Sequence, residues 1–291
     1  MHYHGTVIRP PSEADSYILQ VTYGCSHNQC AFCGTYLDKP FRVRPADEVQ
    51  QDIGLARRCI PGTRRVFLAD GNALVLGSRR LAPILDALAA AFPGLQRVSA
   101  YANARDLLQK SVDELQLLRD RGLRLVYLGL ESGHDEVLRR INKGTTATEM
   151  IEAVQRTQAA GIRVSVIGLL GVAGAELSAA HAEATGRAVS AMDPRYLSLL
   201  TLMLVPGTPL HRQWQQGTFQ PLDPEALLRE LHQVILHLEG LSGCIFRTNH
   251  ASNYLPLAGT LPKDKERLLT TLEAAFQLGR AALRPESWRG L

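Results

Sequence analysis

The sequence predicts an α/β fold: about six strand–helix units forming a partial (β/α)6 barrel of the open, parallel type, followed by a helical C-terminal extension. Three observations carry this reading. Short apolar runs alternate with longer amphipathic runs from Ser16 to Pro206. Strands regularly separated by helices imply parallel pairing and right-handed crossovers. A closed eight-unit barrel takes roughly 250 residues, and this span suits about six units. An open doubly wound sheet is the alternative.

The elements follow in order. Tyr17-Ile18-Leu19-Gln20-Val21-Thr22-Tyr23 reads as a strand and leads into a cysteine-rich loop. Pro45 to Cys59 reads as a helix, with proline at its first turn and Asp47-Glu48 complementing the dipole. Val66 to Ala69 is a short buried strand, Arg79 to Phe92 a helix stopped by Pro93-Gly94, and Val98 to Tyr101 a third strand. Ser111-Val112-Asp113-Glu114 is a capping box whose helix runs to Arg121 and stops at Gly122. Leu125 to Leu130 is the fourth strand, and Asp135 to Asn142 a short helix. Thr146-Ala147-Thr148-Glu149 is a second capping box, with Gly161 ending its helix. Arg163 to Leu170, Glu176 to Met192 and Tyr196 to Val205 complete the alternation. Helices are then expected from Pro224 to Glu239 and from Asp264 to Leu283.

This divides the chain into a lead-in (1–15), the partial barrel (16–210) and the extension (211–291). A seam is expected between Gly207 and Gly217. Of the 291 residues, 45% are apolar and 21% charged, and the net charge is +4. These are the proportions of an ordinary globular chain. The arginine pairs Arg57-Arg58, Arg64-Arg65, Arg79-Arg80 and Arg139-Arg140 are scattered, which weighs against a nucleic-acid footprint. No stretch has signal-peptide or membrane-spanning character, so a cytoplasmic protein is expected. Five cysteines, three of them clustered, do not resemble a disulfide framework.

The cluster is Cys25-Ser26-His27-Asn28-Gln29-Cys30-Ala31-Phe32-Cys33. Three thiolates on one loop can hold three corners of an iron–sulfur cube and leave one iron open. Zinc prefers four closed ligands, often in two separated knuckles. The Cys-x4-Cys-x2-Cys spacing with a distant fourth cysteine also matches a closed [2Fe–2S] site of the electron-carrier or redox-sensor kind, with Cys59 as the fourth ligand. The nine residues leave the open and closed clusters level. The predicted architecture favours the open one. A parallel α/β scaffold places ligands at the carboxyl ends of its strands, where the cysteine loop lies. Cys59 falls at the far end of a helix and is expected to be a small buried thiol.

Each predicted strand delivers polar or glycine residues just past its carboxyl end. These are the cysteine loop, Asp70-Gly71-Asn72, then Asn103 and Arg105, Glu131-Ser132-Gly133, Gly168 and Gly171, and Pro206 to Pro209. One such glycine is usually only a turn. Six in succession describe a barrel mouth furnished for a ligand.

From Ser16 to Pro209 the chain resembles the radical S-adenosylmethionine enzymes, in particular the group with methylthiotransferases and oxygen-independent coproporphyrinogen oxidase-like proteins. The resemblance implies that Cys25, Cys30 and Cys33 bind a [4Fe–4S] cluster, whose free iron is chelated by the methionine moiety of S-adenosylmethionine. Phe32 would lie near the adenine. Asp70-Gly71-Asn72 stands where the family carries Gly-Gly-Glu and would meet the methionine amine. Tyr101-Ala102-Asn103 is similar to a Glu-Ala-Asn motif of relatives. Glu131 would contact the amine or ribose and Lys143 the carboxylate, with Gly168 lining the fifth strand's end. Reductive cleavage would give a 5′-deoxyadenosyl radical that takes hydrogen from a substrate. An external low-potential electron donor and a small-molecule or peptide substrate are implied, and a nucleic-acid substrate is the rival. The chain departs from the family in the extra residue of the first cysteine gap and in lacking an acid at Asn72.

Phe246 to Tyr254 packs hydrogen-bonding side chains between two expected apolar helices. It reads either as an Asn/Ser-rich turn or as a loop meeting substrate through Arg247, Asn249, His250 and Asn253.

Overall fold

The computed structural model describes residues 1–290. Its strands are β1 (Tyr17–Gln20), β2 (Thr22–Tyr23), β3 (Arg42–Val43), β4 (Arg65–Ala69), β5 (Arg97–Ala102), β6 (Leu123–Glu131), β7 (Arg163–Leu170), β8 (Tyr196–Thr201), β9 (Cys244–Arg247) and β10 (Ala258–Leu261). Its α-helices are α1 (Ala46–Cys59), α2 (Ser78–Ala91), α3 (Ala104–Leu108), α4 (Val112–Asp120), α5 (Asp135–Arg140), α6 (Ala147–Ala159), α7 (Gly174–Met192), α8 (Pro209–Gln215), α9 (Pro224–Leu236) and α10 (Lys265–Leu278).

The main sheet runs β1-β4-β5-β6-β7-β8-β9-β10, an open, mostly parallel α/β sheet. Pairing is parallel for β1 with β4, β4 with β5, β5 with β6, β7 with β8 and β8 with β9; β10 is antiparallel to β9. Strands covered on both faces should be apolar throughout. In β4, Val66, Phe67 and Leu68 are all fully buried.

Helix ends obey local chemistry. Ser111 accepts from Glu114 N–H while Glu114 accepts from Ser111 N–H, closing the capping box of α4. Thr146 and Glu149 do the same for α6. Asp223 caps α9 through Ala226 N–H. Gly122 and Gly161 leave their helices with φ of 104° and 80°, angles a side chain would resist.

The described residues fall into two compact units. The first comprises Met1–Asn28, Thr35–Leu128 and Ala153–Val164. In it, β1, β4 and β5 pack together, and α2 packs on α1 and α4. The second comprises Gln29–Gly34, Gly129–Glu152 and Ser165–Leu291. In it, α9 packs between α7 and α10, and β8, β9 and β10 continue the sheet.

Two findings differ from the sequence reading. The C-terminal stretch holds two strands besides its helices. Each has only four residues, too few to show a period, and β10 contains a glycine. Cys59 is exposed. The buried stripe of α1 (Val49, Asp52, Ile53, Ala56) ends before it. The buried thiol is Cys244, which burial pushes up to about 12.

Candidate functional site

In the first unit, β2 and β3 pair antiparallel, Thr22 with Val43 and Tyr23 with Arg42. This ribbon brackets the cysteine segment. Gly24 follows β2 at φ 67°, and its N–H donates to Asp70 Oδ2 at 3.1 Å. Gly71 N–H donates back to Gly24 C=O at 3.2 Å. A Cβ on Gly71 would stand 2.7 Å from the Cys25 Cβ and 2.7 Å from the Tyr36 ring. Only glycine lets the end of β4 lie against Cys25.

Asn72 is fully buried and its amide is engaged on several sides. Nδ2 donates to Ser26 Oγ at 2.9 Å and to Asp106 Oδ2, and Oδ1 accepts from Asn103 N–H at 3.3 Å. It ties the cysteine loop to the end of β5 and the start of α3. Asp106 is itself buried. Tyr101 is half-buried, its ring edge-on to Phe67 at 5.1 Å.

In the second unit, Cys33 N–H donates to Cys30 C=O at 3.1 Å, a tight turn. Ala31 is held by Ile141 C=O and Leu210 N–H, both at 2.8 Å, and Phe32 is half-buried. Cys25, Cys30 and Cys33 are all half-buried, and none is in a disulfide. Among the described residues, no three His, Cys, Asp or Glu side chains converge as a preformed metal site. The donor set itself suits iron–sulfur ligation: three accessible soft thiols within nine residues.

Glu131 ends β6 with φ 60° and is 8% exposed. A left-handed Glu is uncommon, and such residues cluster at binding sites. Lys143 Nζ donates to Glu131 Oε1 at 2.9 Å. A side chain at Gly129 would collide with this pair. Gly168 lies inside β7, and a Cβ there would meet Leu199 at 2.7 Å.

A family model described as Radical SAM superfamily matches residues 19–179, more than half the chain. The chain belongs to the radical SAM superfamily. The family's cofactors are a [4Fe–4S] cluster and S-adenosylmethionine. It is similar to "Heme chaperone HemW" of Bacillus subtilis (strain 168), with 20% identity over 220 residues, 73% of this chain and 56% of the relative. The fold is similar to coproporphyrinogen III oxidase (HemN) from Escherichia coli, with TM-score 0.60, 17% identity, and coverage of 78% of this chain and 53% of that one. It is also similar to methylornithine synthase (PylB), with TM-score 0.54, 17% identity, and coverage of 77% and 62%. The chain thus spans a little over half the length of these relatives.

The expected substrate residues of this radical SAM superfamily member are dispersed in role. Asn253 is buried, with Oδ1 accepting from Thr201 Oγ1 at 2.8 Å and Nδ2 donating to Leu199 C=O at 3.0 Å. Both groups of its amide thereby anchor β8. Arg247 Nη1 donates to Phe246 C=O at 2.7 Å. His250 Nδ1 pairs with Ser252 Oγ at 2.9 Å, and Asn249 is exposed. No helix among the described residues is long and apolar enough to cross a membrane.

The sequence reading missed a buried polar cluster behind Glu131. Ser132 Oγ meets His181 Nδ1 at 2.7 Å, and His181 Nε2 lies 3.6 Å from Glu230 Oε1. Glu230 accepts from Gly171 N–H at 2.6 Å and from Ser178 Oγ at 2.5 Å. The available signal was a Glu on the apolar stripe of α9, flanked by Leu227, Leu231 and Val234. Burial holds His181 down to about 3 and pushes Glu230 up to about 7. The unfolded chain ionises such a carboxyl near 4.5. The folded state therefore binds the extra proton between about 4.5 and about 7, and stability declines as pH rises through that window. His181 acts oppositely: its contribution is present above 6.5 and lost as pH falls toward about 3. Glu230→Gln removes the titration of this carboxyl, and above pH 6.5 the His181 contribution is already complete in wild type. From pH 5 to pH 8 the variant should gain about 2–3 kcal/mol over wild type in denaturant unfolding.

Proposed function

We propose that this enzyme cleaves S-adenosylmethionine reductively and takes hydrogen from a small-molecule or peptide substrate. The observation that carries the reading is the thiol triplet Cys25, Cys30 and Cys33, half-buried on the segment that leaves β2. These residues would hold the cluster. When bound, the cluster supplies the electron that breaks the cofactor's carbon–sulfur bond, received from an external low-potential donor.

The remaining roles belong to the chain's own groups. Gly71 keeps the β4 end close to Cys25, bringing backbone amides and carbonyls to where the methionine amine is expected. Glu131 and Lys143 offer one acceptor and one donor of opposite charge at the end of β6, suited to an amine and a carboxylate. Phe32, Tyr101, Asn103 and Gly168 complete the proposed cofactor set. Asp70 and Asn72 support it from behind. Arg247, Asn249 and His250 are proposed to meet substrate, with Asn253 bracing them. A cytoplasmic location fits an oxygen-sensitive cluster.

The closed four-cysteine alternative asks Cys59 to join the triplet. Cys59 is the last of the 14 residues of α1, about 20 Å along the axis from the first.

The test is anaerobic reconstitution with iron and sulfide, reduction with dithionite and assay for 5′-deoxyadenosine. Slow formation without substrate is expected, together with a change in the reduced cluster's electron paramagnetic resonance spectrum on adding cofactor. Absence of both sinks the proposal.

A further inference from the structure

Asp70 is fully buried, and one oxygen takes up its visible hydrogen bonding. Oδ2 accepts from Gly24 N–H at 3.1 Å, Gln20 Nε2 at 3.2 Å and Lys39 Nζ at 2.8 Å, while Oδ1 has no hydrogen-bond partner. Gly24 immediately precedes Cys25, and Lys39 follows Cys33 by six residues. A single carboxylate oxygen therefore grips the chain on both sides of the cysteine segment. Lys39 is itself 4% exposed, and its ammonium also donates to Thr6 C=O at 2.6 Å. A side chain on Gly24 would collide with the Lys39 carbonyl, so the two ends of the segment are packed backbone to backbone.

A buried ion pair is a poor source of stability, because desolvation of both charges offsets their attraction, and an apolar pair of similar volume often does as well. What such a pair does fix is geometry. Here the geometry is that of the first thiol: Gly24 is bonded to Asp70 and Gly71, and Gly71 abuts Cys25.

We propose that Asp70, with Lys39 as its counter-ion, is a positioning residue for the cysteine loop. By holding Gly24 and Lys39 on one oxygen it closes the thiol-bearing segment and sets Cys25 for ligation. The role rests on the reading of Cys25 as a cluster ligand, and it differs from contact with the cofactor. The extra residue in the first cysteine gap lengthens this loop, and a clamp at its base offsets the added freedom.

Two variants test it. Asp70→Asn keeps the shape and removes the charge. Asp70→Ala combined with Lys39→Met removes both charges, so no unpaired buried ion remains to unfold the chain. In iron-free protein, alkylation by N-ethylmaleimide is followed thiol by thiol with peptide mass spectrometry, Cys59 serving as the internal reference. Alkylation of Cys25 should accelerate about tenfold in both variants, the loss expected from one charge-assisted hydrogen bond, while Cys59 is unchanged. After reconstitution of the double variant, iron should pass to a chelator correspondingly faster, at a melting temperature above that of Asp70→Asn, which strands the buried Lys39 charge. Cys25 reacting at the wild-type rate in a folded double variant overturns the proposal. If wild-type protein binds no iron, the cluster reading fails, and the alkylation result still decides the clamp.

Discussion

Cys25→Ala, Cys30→Ala and Cys33→Ala should each abolish the reconstituted cluster signal and 5′-deoxyadenosine formation. Cys59→Ser and Cys244→Ser should keep about four irons per chain. The asymmetry follows from position. The triplet lies on one short segment, half-buried and reachable by iron and sulfide. Cys244 is fully buried in β9, and burial raises its thiol to about 12, so it offers no thiolate near neutrality. Cys59 is exposed but stands at the far end of α1. On the proposed assignment each of the three thiolates would supply one corner of the cluster, so the loss of any one would leave an iron without its ligand. The effect should be all-or-none. Iron content and Mössbauer spectra check this directly. A two-iron spectrum that depends on Cys59 would reverse the assignment and return the closed-site reading.

Much of the scaffold was legible because parallel α/β units advertise themselves. An apolar run such as Val66-Phe67-Leu68, a capping box at Ser111 or Thr146, and a glycine stop at Gly122 or Gly161 are local signals, read within a few residues. β9 and β10 were not legible, since four residues show no period and their place in the sheet is set by pairing of β9 with β8 and of β10 with β9. The site divides in the same way. The cysteine triplet is contiguous in sequence and was visible at once. From the sequence, Asp70 reads only as a cofactor contact. Its partners Gln20, Gly24 and Lys39 lie 31 to 50 positions away, and nothing local reveals their convergence. Asn253 looked like a substrate reader because a polar side chain in a loop signals function. Folding spends that capacity on Thr201 and Leu199. Composition cannot distinguish an amide that faces a ligand from one that pins a strand.

Glu131→Gln and Lys143→Met should each weaken S-adenosylmethionine binding by roughly 1–3 kcal/mol, the range for a lost charge-assisted hydrogen bond. The pair adds a condition that the single variants alone would hide. Glu131 and Lys143 are ion-paired at 2.9 Å, with side chains 11% and 12% exposed. Removing one partner leaves the other charge half-stranded in a low-dielectric setting, which costs stability by itself. The double variant removes both charges. Its melting temperature should therefore recover relative to the less stable single variant. Its loss of cofactor affinity should differ from the sum of the singles by about 0.5–3 kcal/mol, the coupling expected of groups in direct contact. Iron content should match wild type in all three proteins, because neither residue is a thiol ligand. Calorimetric titration of the reconstituted protein under anaerobic conditions measures the affinities, and thermal unfolding measures the stability. Affinity unchanged in both single variants, alongside a full stability cycle, would make the pair a support for the end of β6 with no part in holding the cofactor.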